Sequence, residues 1–364
     1  MSKNLAFCSL AIIVFLITIV RSVSSGGCLD ANLFAAWQAD ESVPVAAIDP
    51  RHWYRASLGW IVAPGECAAR EVAVEMEAAL TAFERHFGQP APRGAVVDVA
   101  HSRHALALKE AGAAWVLPWR FEQAAESDAP RAQAIREQVR SQLAAAGRAP
   151  EPEQVEVLVQ QALVQLGEPD APSSPPALAP KAIRHEIAHL LFMQAVWPSS
   201  GKRPEQYGGD APDWLDEAAA VVAESEEMTR NRRALFRELA ASGGTIPLAE
   251  YLEMTHPVYA DRQFRAMIDE ARAARADGEP VVISASLADD RVERARAFYA
   301  QTRGFVDYLF ERTGDRRVLG DIAVELRDEA SGFADWLQRH GAVRGLPDGI
   351  EALEQDFLEH ARES

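Results

Sequence analysis

Residues 180–192 read Pro-Lys-Ala-Ile-Arg-His-Glu-Ile-Ala-His-Leu-Leu-Phe, and this is the most informative stretch of the chain. Apolar residues at helical spacing predict an amphipathic helix with one buried face. On such a helix His185 and His189 project from the same side, one turn apart, so both imidazoles can reach one metal ion. Glu186 follows the first histidine and is placed to accept a proton from a water bound there.

Two imidazoles suit zinc, which binds nitrogen at about 2.0–2.1 Å in a tetrahedral shell and keeps one position for water in catalytic sites. A third ligand is expected downstream, where residues 213–224 read Asp-Trp-Leu-Asp-Glu-Ala-Ala-Ala-Val-Val-Ala-Glu. We predict a second helix with Asp213 as its N-cap and with Trp214 and Leu215 in the core. Glu217 would then face the first helix as the third ligand. Glu224, two turns later, would orient a ligand by hydrogen bonding.

The two motifs together resemble the signature of the gluzincin metallopeptidases, H-E-x-x-H followed by W-L-x-E-G-x-A. The matching segments are His185-Glu186-Ile187-Ala188-His189 and Trp214-Leu215-Asp216-Glu217-Ala218. The similarity is closest to the peptidase MA-like group, the M1 aminopeptidase-like catalytic domain. This resemblance implies a Zn²⁺ ion held by His185, His189 and Glu217, with Glu186 as general base. Ala218 stands where the family has glycine.

A third match lies in residues 298–309, Phe-Tyr-Ala-Gln-Thr-Arg-Gly-Phe-Val-Asp-Tyr-Leu. In the family a tyrosine at this place stabilises the oxyanion of the tetrahedral intermediate, which implies that role for Tyr299. The G-x-M-E-N motif, whose glutamate grips a free amino terminus in true aminopeptidases, is not found in the sequence. The resemblance therefore favours an endopeptidase over an aminopeptidase.

The pattern of apolar residues predicts an α+β fold. Helix 69–87 and strands 95–99 and 112–117 give the N-terminal part an α/β character. The resemblance implies a zincin-like metallopeptidase fold, in which a small mixed sheet packs on the HExxH helix and a mostly helical C-terminal half follows. The helices predicted after Pro180 span 180–197, 213–228, 229–242, 260–276, 289–313, 316–328, 332–340 and 348–362.

We predict four segments along the chain. A signal peptide occupies residues 1–27, and the N-terminal α/β part of the catalytic domain occupies 28–119. A helical insertion with a proline-rich loop follows at 120–177, because prolines at 169, 172, 175, 176 and 180 disfavour both helix and central strand. Residues 178–364 form the helical part of the catalytic domain, with the zinc site.

The N-terminus has the layout of a secretory signal. Lys3 precedes an apolar run from Leu5 to Val20, and small residues follow up to Gly27. Cleavage there would export the protein to the periplasm or the extracellular space, whereas an uncleaved signal would act as an anchor. Cys28 has two interpretations: a lipid attachment site, or a disulfide with Cys67, which an oxidising compartment permits.

Composition limits the partners. The 364 residues include 37 Lys and Arg against 54 Asp and Glu, and a formal net charge of −17 argues against a general nucleic-acid binder. We therefore expect a secreted or periplasmic zinc metallopeptidase that acts on a peptide or protein and meets a membrane only through a lipid or signal anchor. The alternatives are a non-catalytic envelope-associated binding protein that retains the zincin fold, and a zinc hydrolase acting on a non-peptide amide.

Overall fold

The computed structural model describes residues 32–36, 42–121, 182–198, 209–260, 289–329 and 331–363, together with the single residues 140, 155, 265, 266 and 270. The chain forms two compact units, one of residues 1–119 with 179–364 and one of residues 120–178. The predicted signal peptide at 1–27 lies outside the described residues. Most of the insertion and proline-rich loop at 120–177 and of the predicted helix 260–276 also lies outside them, so these remain predictions.

A five-stranded mixed sheet forms the N-terminal part of the first unit. Its strands follow the order of the chain, β1-β2-β3-β4-β5. The first three strands pair antiparallel, and β3, β4 and β5 pair parallel. The bounds are Phe34–Ala36 for β1, Trp53–Ala56 for β2, Gly59–Val62 for β3, Gly94–Asp98 for β4 and Trp115–Trp119 for β5. The predicted α+β class with a small mixed sheet is confirmed.

Two paired glycines allow close contacts within the sheet, one with a tryptophan ring and one with the neighbouring backbone. Gly94 pairs with Gly59 on one side and with Trp115 on the other. A Cβ atom on Gly94 would lie 2.1 Å from the Trp115 ring, and one on Gly59 would lie 1.9 Å from the carbonyl oxygen of Gly94. The buried indole donates its Nε1–H to the carbonyl oxygen of Pro92 at 2.9 Å. A larger side chain at Gly94 would therefore displace Trp115 on the edge strand β5, and one at Gly59 would force β3 away from β4.

Helices form the two parallel crossovers of the sheet. Helix α1 (Glu66–Phe87) connects β3 to β4 and packs on the first three strands. Helix α2 (Ala105–Glu110) connects β4 to β5 after a 3₁₀ segment at Val99–His104. A second, shorter 3₁₀ segment, Pro50–His52, precedes β2. The apolar cluster near α2 consists of buried residues that include Val45, Ile48, Trp53, Val62, Ala95, Val97, Leu108 and Val116.

The part of the chain described after residue 181 is mostly helical, as expected. Its α-helices are α3 (Ile183–Leu191), α4 (Asp213–Val221), α5 (Glu226–Ser242), α6 (Leu248–Glu253), α7 (Asp289–Thr313), α8 (Val318–Glu329), α9 (Phe333–His340) and α10 (Ile350–Glu363). A π-helical turn, Phe192–Val196, continues α3, and a 3₁₀ turn, Ala342–Arg344, follows α9.

Helix α3 lies at the centre of this arrangement, where it contacts α1, β5 and α4. A buried ion pair between Arg184 and Glu75 joins it to α1. Helix α4 is anchored by Trp214, whose ring centroid lies 5.8 Å from that of Phe305 on α7 and 5.4 Å from that of Phe333 on α9. Burying each large aromatic side chain contributes roughly 1.5–3 kcal/mol, so this cluster holds α4 firmly beside α3 and α7.

The predicted helix 213–228 is wrong in two respects. It ends at Val221, and α5 begins at Glu226, because the Ser225 hydroxyl accepts the backbone N–H of Met228 and caps a new helix. Its N-cap is Pro212 and not Asp213. The Asp213 carboxylate is buried and has other partners, which are described with the site below.

Two further observations concern the predictions about export and membrane anchoring. Cys67 is disulfide-bonded, and the other two cysteines, Cys8 and Cys28, lie outside the described residues. The choice between a lipid on Cys28 and its pairing with Cys67 therefore stays a prediction. Within the described ranges, no helix combines the length and the hydrophobicity that a bilayer span requires.

Candidate metal centre

Helix α3 brings two imidazoles together. His185 and His189 lie one helical turn apart, and both are buried. Their Nε2 atoms are 3.3 Å apart, and the ring planes meet at 78°. The two rings thus point nitrogen atoms at a common position from the same face of the helix.

Helix α4 adds a carboxylate at the same point. Glu217 is 1% exposed, and its Oε1 lies 3.3 Å from Nε2 of His185 while its Oε2 lies 3.6 Å from Nε2 of His189. Oε1 has no hydrogen-bond partner among the described residues. A buried carboxylate oxygen in this state is costly unless a cation or proton sits beside it.

The donor atoms fit a small divalent cation. In a tetrahedral shell with bonds of about 2.0–2.1 Å, neighbouring ligand atoms lie about 3.3–3.4 Å apart. The two Nε2 atoms are 3.3 Å apart, and each has one oxygen of Glu217 at a similar distance, Oε1 at 3.3 Å from His185 and Oε2 at 3.6 Å from His189, so these separations are close to the tetrahedral values. Across the described ranges, His185, His189 and Glu217 are the one set of three or more candidate ligands whose atoms all lie within 4.8 Å of one another. Two imidazoles with one carboxylate is a donor set that zinc accepts.

Each imidazole has a carboxylate behind it. Oε1 of Glu224 lies 3.1 Å from Nδ1 of His185, and Oδ1 of Asp216 lies 3.0 Å from Nδ1 of His189. A carboxylate beside Nδ1 favours a proton there, which leaves the lone pair of a neutral ring on Nε2. Both Nε2 atoms are then directed toward Glu217 as ligand atoms.

Glu224 reaches His185 from an unexpected place. It lies in the turn after α4 and not on the helix face two turns beyond Glu217. Arg232 on α5 binds the Glu224 carboxylate, with Nη2 3.0 Å from Oε1. Burial alone would raise the pKa of Glu224, but Arg232 and His185 lower it to about 2. These neighbours favour the ionised form of Glu224 beside Nδ1 of His185.

The surrounding acids also act on the imidazoles. Burial lowers the pKa of His189, but Asp216 and Glu217 outweigh it and raise that pKa to about 10. The pKa of His185 also rises, because Glu217 and Glu224 outweigh its burial. The site therefore attracts positive charge strongly.

Glu186 has a different environment from the other acids. It is partly exposed and forms no hydrogen bond or ion pair within the described part of the chain. Burial raises the pKa of its carboxyl group, an effect that His185 and His189 partly oppose. A carboxylate with a raised pKa and no fixed partner is suited to accept and return a proton.

Tyr299, in the middle of α7, lies beside the cluster. It is 4% exposed, and its ring centroid is 6.0 Å from that of His185. The guanidinium carbon of Arg232 lies 4.5 Å from the centroid of its ring. Burial, and then Glu217, raise the pKa of Tyr299, so the phenol stays protonated and can act as a hydrogen-bond donor.

His256 was missed by the sequence analysis. It is fully buried, its Nε2 lies 3.1 Å from the Tyr299 hydroxyl, and it is 4.0 Å from Oε2 of Glu217. The carboxylate of Asp213 accepts from the backbone N–H of His256 and from the Thr255 hydroxyl, both at 2.6 Å. Asp213 thus fixes the segment that carries His256 and does not cap α4.

The structure places all six predicted site residues in one region. His185, His189 and Glu217 converge on a point, Glu224 supports one ligand, and Glu186 and Tyr299 lie beside the cluster. In comparisons with known proteins, the sequence matches no protein-family profile, no curated protein and no solved structure.

Proposed function

We propose that this chain is a zinc-dependent metallopeptidase of the gluzincin type, with a zincin-like fold. One observation carries the proposal: two imidazole nitrogens and a buried carboxylate approach one another at tetrahedral ligand spacing, next to Glu186, which has no hydrogen-bond or ion-pair partner among the described residues. His185, His189 and Glu217 would hold the ion. When bound, Zn²⁺ lowers the pKa of a coordinated water and polarises a carbonyl group.

The protein groups around the ion would divide the proton transfers between them. Glu186 accepts a proton from the attacking water and later delivers it to the leaving amine. Tyr299 donates its hydroxyl proton toward the carbonyl oxygen, where negative charge develops as water attacks. Asp216 and Glu224 hold the imidazoles in the orientation that presents Nε2 to the ion.

Substrate class and compartment follow from the sequence patterns. The missing amino-terminus-binding motif supports cleavage inside a peptide or protein chain, and the signal-like N-terminus supports action in the periplasm or outside the cell. The net charge of −17 makes nucleic acid an unsuitable partner.

The test compares wild type with Glu186→Gln. We expect both proteins to bind about one zinc per chain, whereas the variant loses a factor of about 10²–10⁴ in peptide hydrolysis, the range typical of general-base catalysis. Metal content is measured by elemental analysis, and cleavage is measured by mass spectrometry of an unbiased peptide mixture.

Glu110→Gln is the matched control, since this exposed glutamate on α2 lies outside the site. Equal hydrolysis by wild type and Glu186→Gln would contradict the assignment of the base. A zinc-loaded wild type that cleaves no peptide would contradict the peptidase proposal and favour the non-catalytic binding protein.

A further inference from the structure

His256 is a buried polar group for which the proposed reaction has no role so far. It lies between Tyr299 and Glu217, with its ring 5.3 Å from those of both Tyr299 and Phe298. Its backbone is held by Asp213. A side chain so tightly placed has few orientations available, so the direction of its hydrogen bonds can be worked out.

The backbone determines which ring nitrogen carries the proton. The N–H of Val258 lies 3.3 Å from Nδ1 of His256 and donates to it. A backbone amide can only donate, so Nδ1 must offer a lone pair and carries no hydrogen. In a neutral imidazole with an unprotonated Nδ1, the proton is on Nε2.

This tautomer sets the direction of the bond to Tyr299. Nε2–H donates to the tyrosine oxygen across 3.1 Å, so it uses a lone pair of the hydroxyl and leaves the phenolic hydrogen uncommitted. Within the described part of the chain, His256 is the one hydrogen-bond partner of that hydroxyl. The phenolic hydrogen is therefore available to an acceptor outside the protein.

We propose that His256 is a positioning residue that donates to Tyr299 and so commits the phenolic hydrogen to the carbonyl oxygen of the substrate. The inference rests on the proposed peptidase function. Without His256, the hydroxyl could rotate and donate its hydrogen to the nearby Glu217 carboxylate. A bond donated into the hydroxyl oxygen also strengthens the hydrogen bond that the hydroxyl donates.

The first experiment observes the tautomer in the zinc-loaded full chain. Long-range proton–nitrogen NMR spectra of the ¹⁵N-histidine-labelled protein distinguish a protonated from an unprotonated ring nitrogen. We expect His256 to be protonated at Nε2 alone, and we expect its Nε2 signal to shift in Tyr299→Phe. A proton on Nδ1, or an unchanged signal in Tyr299→Phe, would overturn the proposal.

The second experiment is a double-mutant cycle on peptide hydrolysis. We expect Tyr299→Phe to reduce kcat/KM by about 10²-fold, as for loss of one oxyanion donor. His256→Phe should reduce it by about tenfold, the size of one lost hydrogen bond, mainly through kcat. The double variant should be no worse than Tyr299→Phe, because His256 acts through Tyr299. If the two reductions in kcat/KM multiplied in the double variant, His256 and Tyr299 would act independently, and the proposal would be refuted.

His256→Gln is the conservative variant, because its amide N–H₂ can donate from near the Nε2 position, and it should retain most of the wild-type rate. His86→Phe is the control for replacing a buried histidine by an aromatic ring, because the contacts of His86 are with the Arg316 carbonyl and the Phe310 ring and not with the site residues. Absence of hydrolysis by the zinc-loaded wild type would contradict the peptidase function alone, and the NMR spectra would still decide the role of His256.

Discussion

Two groups of histidines in this protein differ in what surrounds them. In the candidate metal centre, the ring centroids of His185 and His189 are 4.9 Å apart and their Nε2 atoms face each other. In a second group, here called the sheet-side cluster, the ring of His101 lies 5.7 Å from that of His52 and 6.4 Å from that of His104. The centroids of neighbouring imidazole rings therefore lie within 6.4 Å of each other in both groups.

The two groups of histidines differ in the carboxylates near their imidazoles. Each imidazole of the metal centre has a carboxylate oxygen about 3 Å from Nδ1, at 3.1 and 3.0 Å. No carboxylate of the described residues reaches ion-pair distance from the sheet-side rings, and Arg103 donates to Nε2 of His104 instead. Burial lowers the pKa of His101, whereas acids raise that of His189. Neighbouring acids, and not histidine spacing, mark a place suited to a cation.

The largest expected effect comes from removing the carboxylate that faces both imidazoles. Glu217→Ala should reduce the zinc content from about one ion per chain to nearly none, because two imidazoles alone leave the shell incomplete. Zinc is measured after dialysis against buffer without metal. His101→Ala in the sheet-side cluster should keep its full zinc content. An equal loss of zinc in Glu217→Ala and His101→Ala would contradict the difference between the two groups of histidines.

A smaller effect is expected from the acid behind His189. Asp216→Asn should weaken zinc binding by about 10–100-fold, the usual cost of losing a carboxylate that orients a ligand. Competition with a chelator of known affinity measures this change. Asp98→Asn, beside the sheet-side cluster, is the matched control. Unchanged zinc affinity in Asp216→Asn would show that the carboxylate near Nδ1 does not support the centre.

The third prediction concerns the stability of the fold and not the metal site, at His86, a buried histidine without a carboxylate partner among the described residues. Burial, opposed by a hydrogen bond to the Arg316 carbonyl, lowers its pKa from 6.5 to about 4. As the pH falls, the imidazole of His86 takes up a proton near pH 6.5 in the unfolded chain but only near pH 4 in the folded chain. The free energy of unfolding should therefore have its full value above pH 6.5 and decrease toward pH 4, by up to about 3 kcal/mol. Urea unfolding at both pH values should show a smaller fall for His86→Gln. An identical fall would exclude His86 as its source.

Much of the fold follows from periodicity. The apolar spacing placed the helix at 289–313 with the bounds that the structure has, and it placed strand β4 within one residue. The error at 213–228 arose because the apolar pattern runs on through the turn at 222–225. The backbone N–H of Met228 donates to the Ser225 hydroxyl and caps the second helix, and side-chain capping of this kind competes with continuous periodicity.

The site was predictable where its residues share a helix or a motif. His185, Glu186 and His189 follow from their spacing on one helix, and Glu217 follows from the second motif together with the family resemblance. Asp216, Arg232 and His256 were missed, because their contacts come from separate segments that only the tertiary fold brings together. Asp216 did leave a signal, since an acid within the buried stretch of α4 needs a partner.

The charges of Arg232, Glu224 and the neighbouring acids determine how a metal ion would exchange with protons at this site. The carboxylates of Glu217, Asp216 and Glu224 lie beside the two imidazoles, and Arg232 pairs with Glu224, so two negative charges are left over among these groups. A divalent ion restores electroneutrality, and so does a pair of protons on His185 and His189. Binding of one divalent ion would then release about two protons from the imidazoles. Lowering the pH would by itself release the ion.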